Sequence, residues 1–482
     1  VSQVATLTGT PREREVVDPP PPIEYREDDR RSSDALDQLS RRLDSTCTGA
    51  VDPLEIAAAL EADGLTDSLA RERFNLPDVF SLAEELYRRV PLRISRRDSG
   101  RAERIPWRCV GRGVLYALPG LYFFELQATV SSRLATLVLA AVTVGGWAAS
   151  QAISVVAYSV LGDRGRPAAL GLLRWTILAA LLAGTIVGVC PVESLGWSSP
   201  LTAVAIALAV YIVAATVLVF LDADLLLAAT LAPGGIAAAI DAIADPYWLD
   251  AERVLAVMGG SIALVVIGGL WRTRGGIWAG ALPTRRQMLR AVPFAAYGAL
   301  AGALVASPLV ASLVSGNPIS GLLAAAMLPL TLSMGFAELE LRRHLATVRT
   351  ALKREHDVAG FVRVATRSLR AALSRYAAAL AALSLCTPAV LAATGRPLLA
   401  PAPLLAGYFL LGVGLFPGML IAATGRVGRV AWSLAGGLCV FALLWGMVAV
   451  GIDEAFSAAC LAVLVCLVLL GELDVRKVVN HA

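Results

Sequence analysis

The sequence predicts an all-α polytopic membrane protein of about twelve transmembrane helices, set as two six-helix lobes behind a small helical cytoplasmic N-terminal module. Three observations predict it. Of 482 residues, 57% are hydrophobic and 17% charged, more apolar surface than a water-soluble globule of this size can bury. From residue 111 onward, apolar runs approaching the roughly 20 residues that a bilayer-crossing helix needs follow one another to the C-terminus. Arginines gather in every second segment between those runs, as expected when positively charged loops resist translocation.

The elements follow in order. Residues 1–50 are polar and contain Pro19 to Pro22; they bury too little to offset the entropy of ordering and read as a disordered cytoplasmic tail. Their first 29 residues hold no apolar run, so no cleavable signal peptide is expected. Residues 51–106 form a module and basic linker. Leu54, Ile56 and Leu60, then Leu65, Leu69 and Phe74, then Val79, Phe80, Leu82, Leu86 and Tyr87 recur at helical spacing, punctuated by Gly64, Asn75 and Pro77. This module is net acidic, which argues against a DNA-reading helix-turn-helix and leaves residues 52–90 as either a docking surface for a cytoplasmic protein or a structural cap.

The first membrane lobe is expected over 107–271, with spans near 111–126, 134–161, 168–190, 201–221, 225–243 and 254–271. The fifth of these is interrupted by Pro233, Gly234 and Gly235. A cytoplasmic linker, 272–290, leads to the second lobe, 291–482, with spans near 291–315, 319–336, 371–394, 404–424, 430–452 and 455–470. With the N-terminus inside, the inner segments carry Arg164 and Arg166, Arg272 to Arg290, Arg342 to Arg375, Arg426 and Arg429, and Arg476 with Lys477. The outer ones hold only Arg133, Arg253 and Arg396. The expected location is the bacterial inner membrane, with both termini cytoplasmic. One inner loop departs from the pattern, carrying Asp222 and Asp224 instead of arginine.

Segment 338–375 is too long for a simple loop. Leu341, Leu345, Val348 and Leu352, then Phe361, Val362, Ala365 and Leu369, keep helical spacing. Arg342, Arg343, Arg349, Lys353, Arg363 and Arg367 occupy the other face, which reads as a basic surface for anionic headgroups, with the turn near Gly360. Cys47, Cys109, Cys190, Cys386, Cys439, Cys460 and Cys466 lie far apart, with no paired metal-ligand spacing. No metal or other cofactor is expected, and arginines scattered among loops do not make a nucleic-acid groove.

The halves open alike: Arg112 leads to Tyr116 and Pro119, and Arg290 to Pro293 and Tyr297. Duplicated halves are a common plan of transporters, with substrate handled where they meet. In the first half, Gly145, Gly146, Trp147, Ala148, Ala149, Ser150 and Gln151 run through Tyr158 to Leu161, Gly162, Asp163, Arg164 and Gly165, followed by Ala168 to Arg174. This stretch resembles the multidrug/oligosaccharidyl-lipid/polysaccharide exporter superfamily, in which a short Leu-Gly-x-Gly turn joins the second and third helices. Met334, Gly335, Phe336, Ala337 and Glu338, followed by the amphipathic stretch, are similar to the Pel-type polysaccharide exporters of that superfamily. The turn is one residue longer than the family's, and the acidic N-terminal extension lies outside the common pattern. The resemblance implies a two-lobed, twelve-helix flippase or exporter of a lipid-linked or polymeric saccharide.

Ionisable and polar groups within spans are costly and therefore informative. Arg133, Gln151, Arg174, Arg290, Glu125 and Tyr297 are the candidates for a substrate cavity. There, guanidinium groups would bind phosphate or acidic sugar, unless each arginine simply reaches a headgroup. Glu338 and Glu340 close the eighth span. Asp222, Ala223 and Asp224 have the Asp-x-Asp form of metal-dependent sugar transferases, yet in a short turn between spans they read as solvated. The expected function is transport of a saccharide-bearing envelope precursor without catalysis. The rivals are a membrane glycosyltransferase using Asp245 and Asp250, and a scaffold acting through residues 52–90.

Overall fold

The computed structural model describes residues 35–41, 43, 47, 52–62, 65–89, 111–115, 133–189, 199–243, 251–276, 282–316, 322–354, 358–393, 402–448 and 450–475. The chain divides into two compact units, Val1–Arg104 and Ile105–Ala482. All regular structure among the described residues is helical.

In the first unit, α1 (Pro53–Ala62), α2 (Asp67–Phe74) and α3 (Val79–Arg89) enclose a core of Ile56, Leu60, Ala70, Phe74, Val79, Leu82 and Leu86. The start of α3 is fixed by two carboxylates. The Ser81 N–H donates to Asp78 Oδ1 at 2.7 Å, and the Val79 N–H donates to Asp67 Oδ1 at 2.9 Å. The Ser81 backbone bond, foremost, holds the Asp78 carboxyl below its ordinary value. Leu36, Leu39, Leu43 and Cys47 are buried in the same core. The ordered module therefore begins before residue 51, because these four residues present one apolar stripe at helical spacing within an otherwise polar stretch.

The second unit follows the expected succession of spans. Of the first run, 111–126, only the helical segment 111–115 is described. Spans two and three are the arms of α4 (Arg133–Val189), which bends at Gly165, φ 81° and ψ 178°. A straight helix of this length would reach about 85 Å, nearly three hydrocarbon thicknesses. The bend, at a backbone conformation confined to glycine and just ahead of Pro167, lets both arms serve as spans. Then come α5 (Ser199–Phe220), α6 (Asp224–Ile243) and α7 (Ala251–Arg272). The second half holds α8 (Arg285–Val314), α9 (Leu322–Arg354), α10 (Val358–Ala393), α11 (Ala402–Ala423), α12 (Val427–Gly446) and α13 (Ile452–Val475).

The halves have separate cores. Leu173, Ile177, Ala214, Leu218, Leu231 and Val265 centre the first; Leu304, Leu411, Leu434, Phe456, Ala459 and Leu467 centre the second. Helix α6 runs unbroken through Pro233. The neighbouring α7 supplies what the proline disturbs, since Ser261 Oγ accepts the Gly234 N–H at 2.9 Å. The two helices expected within 338–375 are continuations of α9, which ends at Arg354, and α10, which starts at Val358, with Gly360 inside α10.

Many large apolar side chains face outward along these helices, among them Leu182, Ile186, Ile267, Leu385, Trp432, Leu461 and Leu469. An exposed belt of this kind is what lipid tails cover.

The two halves touch through α4 and α8, where Gly298 and Gly302 are buried. A methyl group at Gly298 would stand 2.6 Å from the Trp147 carbonyl oxygen, and one at Gly302 3.2 Å from Val144 Cα. Gly298→Val is expected to force these backbones apart and cost about 1–3 kcal/mol by overpacking. Thermal unfolding in detergent, read as loss of the monodisperse elution peak, should show a lower midpoint; an unchanged midpoint would mean that the helices do not meet there.

Candidate functional site

The densest polar site is centred on Arg112, whose side chain is 9% exposed. Its Nε lies 2.9 Å from both carboxylate oxygens of Asp224. Nη2 donates to Asp222 Oδ1 at 2.7 Å, and Nη1 donates to Glu338 Oε1. The local chain explains the convergence. Asp222 follows α5 in the left-handed region at φ 51°, a conformation that aspartate tolerates, and Asp224 opens α6, where the helix dipole favours its charge. Glu338 comes from α9, and Arg342, one turn further on, donates to the same Oε1. Gly113 lies against the α9 backbone at Leu332 and Gly335, leaving no room for a side chain. Carboxylates from both halves of the membrane unit thus share one buried cation.

Three further ion clusters lie on the same, arginine-rich side, each inside the second half. Glu340, 6% exposed, accepts from Arg343 Nη1 at 2.7 Å and from Arg375 Nε at 2.8 Å. Asp474, 3% exposed, accepts from Arg426 and Arg429. Arg370 pairs with Glu472. Among the described residues, the Arg112–Glu338 bond is the one salt bridge that joins the halves.

Away from this cluster, α4 and α8 run antiparallel in a register fixed at both ends. At the arginine-rich end, Gln287 Nε2 donates to Asp163 Oδ2 at 2.7 Å and Arg164 Nη1 donates to the Leu282 carbonyl at 2.9 Å. At the far end, Arg133 Nη2 reaches the Gly316 carbonyl at 3.5 Å. Midway, Gly298 faces Trp147 and Gln151.

The sequence-derived candidates are spread along this frame. Gln151, half-buried, lies at the middle of the α4–α8 contact, and Tyr297, next to Gly298 on α8 and also half-buried, packs against the core of the second half. Arg133 sits about 27 Å from Gln151 by helix rise, at the other end of the pair. Arg174 turns within the first half and donates to the Leu270 carbonyl at 2.8 Å, near the end of α7. Arg290 is exposed on the first turns of α8. Glu125, Asp245 and Asp250 lie outside the described residues. Of the basic face, Arg342 and Arg343 are drawn into the carboxylate clusters; Arg349, Arg363 and Arg367 remain exposed, and the Lys353 side chain lies outside the described ones. The turn at 222–224 is only half solvated: Asp222 is 79% exposed, whereas Asp224 is 11% exposed. Arg112 fills the place between the two carboxylates that the Asp-x-Asp reading would give to a metal ion.

The membrane unit has the architecture of the MATE proteins. The chain superposes on a crystal structure of MATE in complex with MaD3S with a TM-score of 0.52 and 12% identity, over 77% of this chain and 95% of that one. A crystal structure of a MATE mutant gives 0.50 and 11%, over 76% and 95%. An outward-facing multidrug resistance MATE family transporter of the MOP superfamily overlaps at 0.45, with 12% identity over 76% and 95%. No protein-family model and no curated protein sequence matches the chain. What this establishes is the class: a multi-pass helical membrane protein with the MATE-like fold.

The cluster's members should differ sharply in effect. Arg112→Ala strands the buried Asp224 carboxylate and is expected to cost about 3–5 kcal/mol. Asp222→Ala removes a solvent-screened partner and should cost about 0–1 kcal/mol. Chemical denaturation of the two purified variants side by side tests this; equal losses would contradict the graded burial of the three acids.

Proposed function

We propose that this protein is a transporter that moves a lipid-linked or polymeric saccharide precursor of the cell envelope across the bacterial inner membrane by alternating access. In this reading both termini and the arginine-rich loops are cytoplasmic. The observation that carries it is the Arg112 cluster set in a MATE-like fold: one buried guanidinium binds carboxylates of both halves at a single membrane face. Closing that face there and parting it elsewhere in the cycle is the work of a two-lobed carrier. The saccharide part rests on the inner turn from Leu161 to Gly165 and on Gln151 midway along the α4–α8 contact, whose amide would hydrogen-bond sugar hydroxyls when the lobes separate.

The parting of the lobes has a defined chemistry. Asp222 and Asp224 belong to the same half as Arg112 and stay with it, so within this cluster only the bond to Glu338 breaks, together with the Gln287–Asp163 and Arg164–Leu282 ties of α8 to α4. Arg342 keeps Glu338 compensated after the break. Neither half then holds an unpaired buried charge, and the barrier to opening stays low.

The test places cysteines at Val114 and Met334, exposed positions on the two elements that meet at Gly113, in a background with the native cysteines replaced. Proteoliposomes carry a fluorescent polyprenyl-pyrophosphate disaccharide, and translocation is read as protection from external dithionite. Translocation should stop when a bifunctional thiol reagent joins the two positions and resume on reduction. Absence of saccharide translocation before cross-linking, or indifference to the cross-link, would overturn the proposal.

A further inference from the structure

Two groups of arginines on one membrane side of this protein contrast. Arg112, Arg342, Arg343, Arg370, Arg375, Arg426 and Arg429 are neutralised by carboxylates of the same chain. Arg285, Arg286 and Arg290, on the first two turns of α8, are exposed, and no described carboxylate pairs with them. Arg290 is the counterpart of Arg112 in the internal similarity of the two halves, so the contrast is sharp: one arginine is enclosed by three acids, the other by none.

The geometry points to a binding site for an anionic phospholipid on this turn of α8. Arg285, Arg286, Leu289 and Arg290 border one shallow hollow that is open to the surface. At one turn of spacing, Arg286 stands over Arg290 and Arg285 over Leu289, so guanidinium groups and an apolar wall share one surface. Directly beyond, Met288 and Val292 are also more than half exposed, at 57% and 58%, along a helix long and apolar enough to enter the bilayer. A phosphodiester matches the guanidinium forks, and an acyl chain covers Leu289, Met288 and Val292. A free phosphate ion would satisfy the first feature and leave the second bare.

The helix end itself contributes little. Thr284 and Gln287 close a capping box that takes up the first-turn donor and the Thr284 N–H. Asp163, the carboxylate across the α4–α8 contact, accepts from Gln287 Nε2. The recognition therefore rests on the three arginine side chains. Because α8 carries the contact between the halves, a lipid bound here would hold the linker end of that contact to the membrane surface. The inference stands apart from the identity of any transported molecule.

The test uses the full chain in detergent and counts retained lipid by native mass spectrometry during titration with phosphatidylglycerol, phosphatidylcholine or inorganic phosphate. The wild type should bind phosphatidylglycerol with a preference over phosphatidylcholine that weakens with salt. The triple variant Arg285→Gln, Arg286→Gln, Arg290→Gln should bind it at least about ten-fold more weakly. An equal-charge control in the separate N-terminal unit, Arg71→Gln, Arg73→Gln, Arg88→Gln, should retain binding, and the same elution volume for both variants shows that they fold. Inorganic phosphate should not displace the lipid. Unchanged binding in the α8 variant, an equal loss in the control, or displacement by phosphate would each overturn the assignment.

Discussion

The membrane unit depends on how one buried positive charge is neutralised. A guanidinium taken out of water is stable only with partners in hydrogen-bond contact, and Arg112 finds them on two separate stretches of chain: the α5–α6 turn, which supplies Asp222 and Asp224, and the middle of α9, which supplies Glu338. Two of these acids travel with Arg112 and one belongs to the opposite half. The arrangement is therefore lopsided in a useful way. Asp222 and Asp224 satisfy the cation from within its own half, while the salt bridge between the halves is made by a single carboxylate that already shares a second arginine.

The rest of the architecture ties each half internally by different contacts from those that join the halves. Inside the second half, buried Glu340 and Asp474 each hold two arginines, binding α9 to α10 and α12 to α13. Between the halves, α4 and α8 approach through glycines and backbone, with polar ties at both ends and Gln151 near the middle. Contacts of small residues and single hydrogen bonds can re-form after displacement, whereas charge clusters buried within one half resist it.

The spans themselves were legible because hydrocarbon length and the alternation of arginine are strong, local signals. So was the extension of α9 and α10 beyond the bilayer, since apolar spacing persists from Leu341 to Leu352 and from Phe361 to Leu369. The continuity of α6 was not legible: Pro233 and two glycines suggest a break, and the compensating Ser261 lies on another helix. The Arg112 cluster was hidden for the same reason, as its members are more than 100 positions apart. One signal did point to it. Among the loops that the sequence assigns to the inner side, the one with Asp222 and Asp224 lacks arginine, and such an exception marks a place where acids have a partner elsewhere. The cavity candidates were chosen one residue at a time, and helix rise then distributed them from Arg133 at one end to Arg290 at the other.

The most direct test of a latch between halves is a pair of spin labels at Arg166 and Arg349, one on each half and both exposed, measured by pulsed electron–electron resonance in lipid nanodiscs. Replacing Glu338 with Gln should add a population at longer distance, as the arginine-rich face opens more often. Identical distance distributions with and without the Glu338 charge would contradict the account.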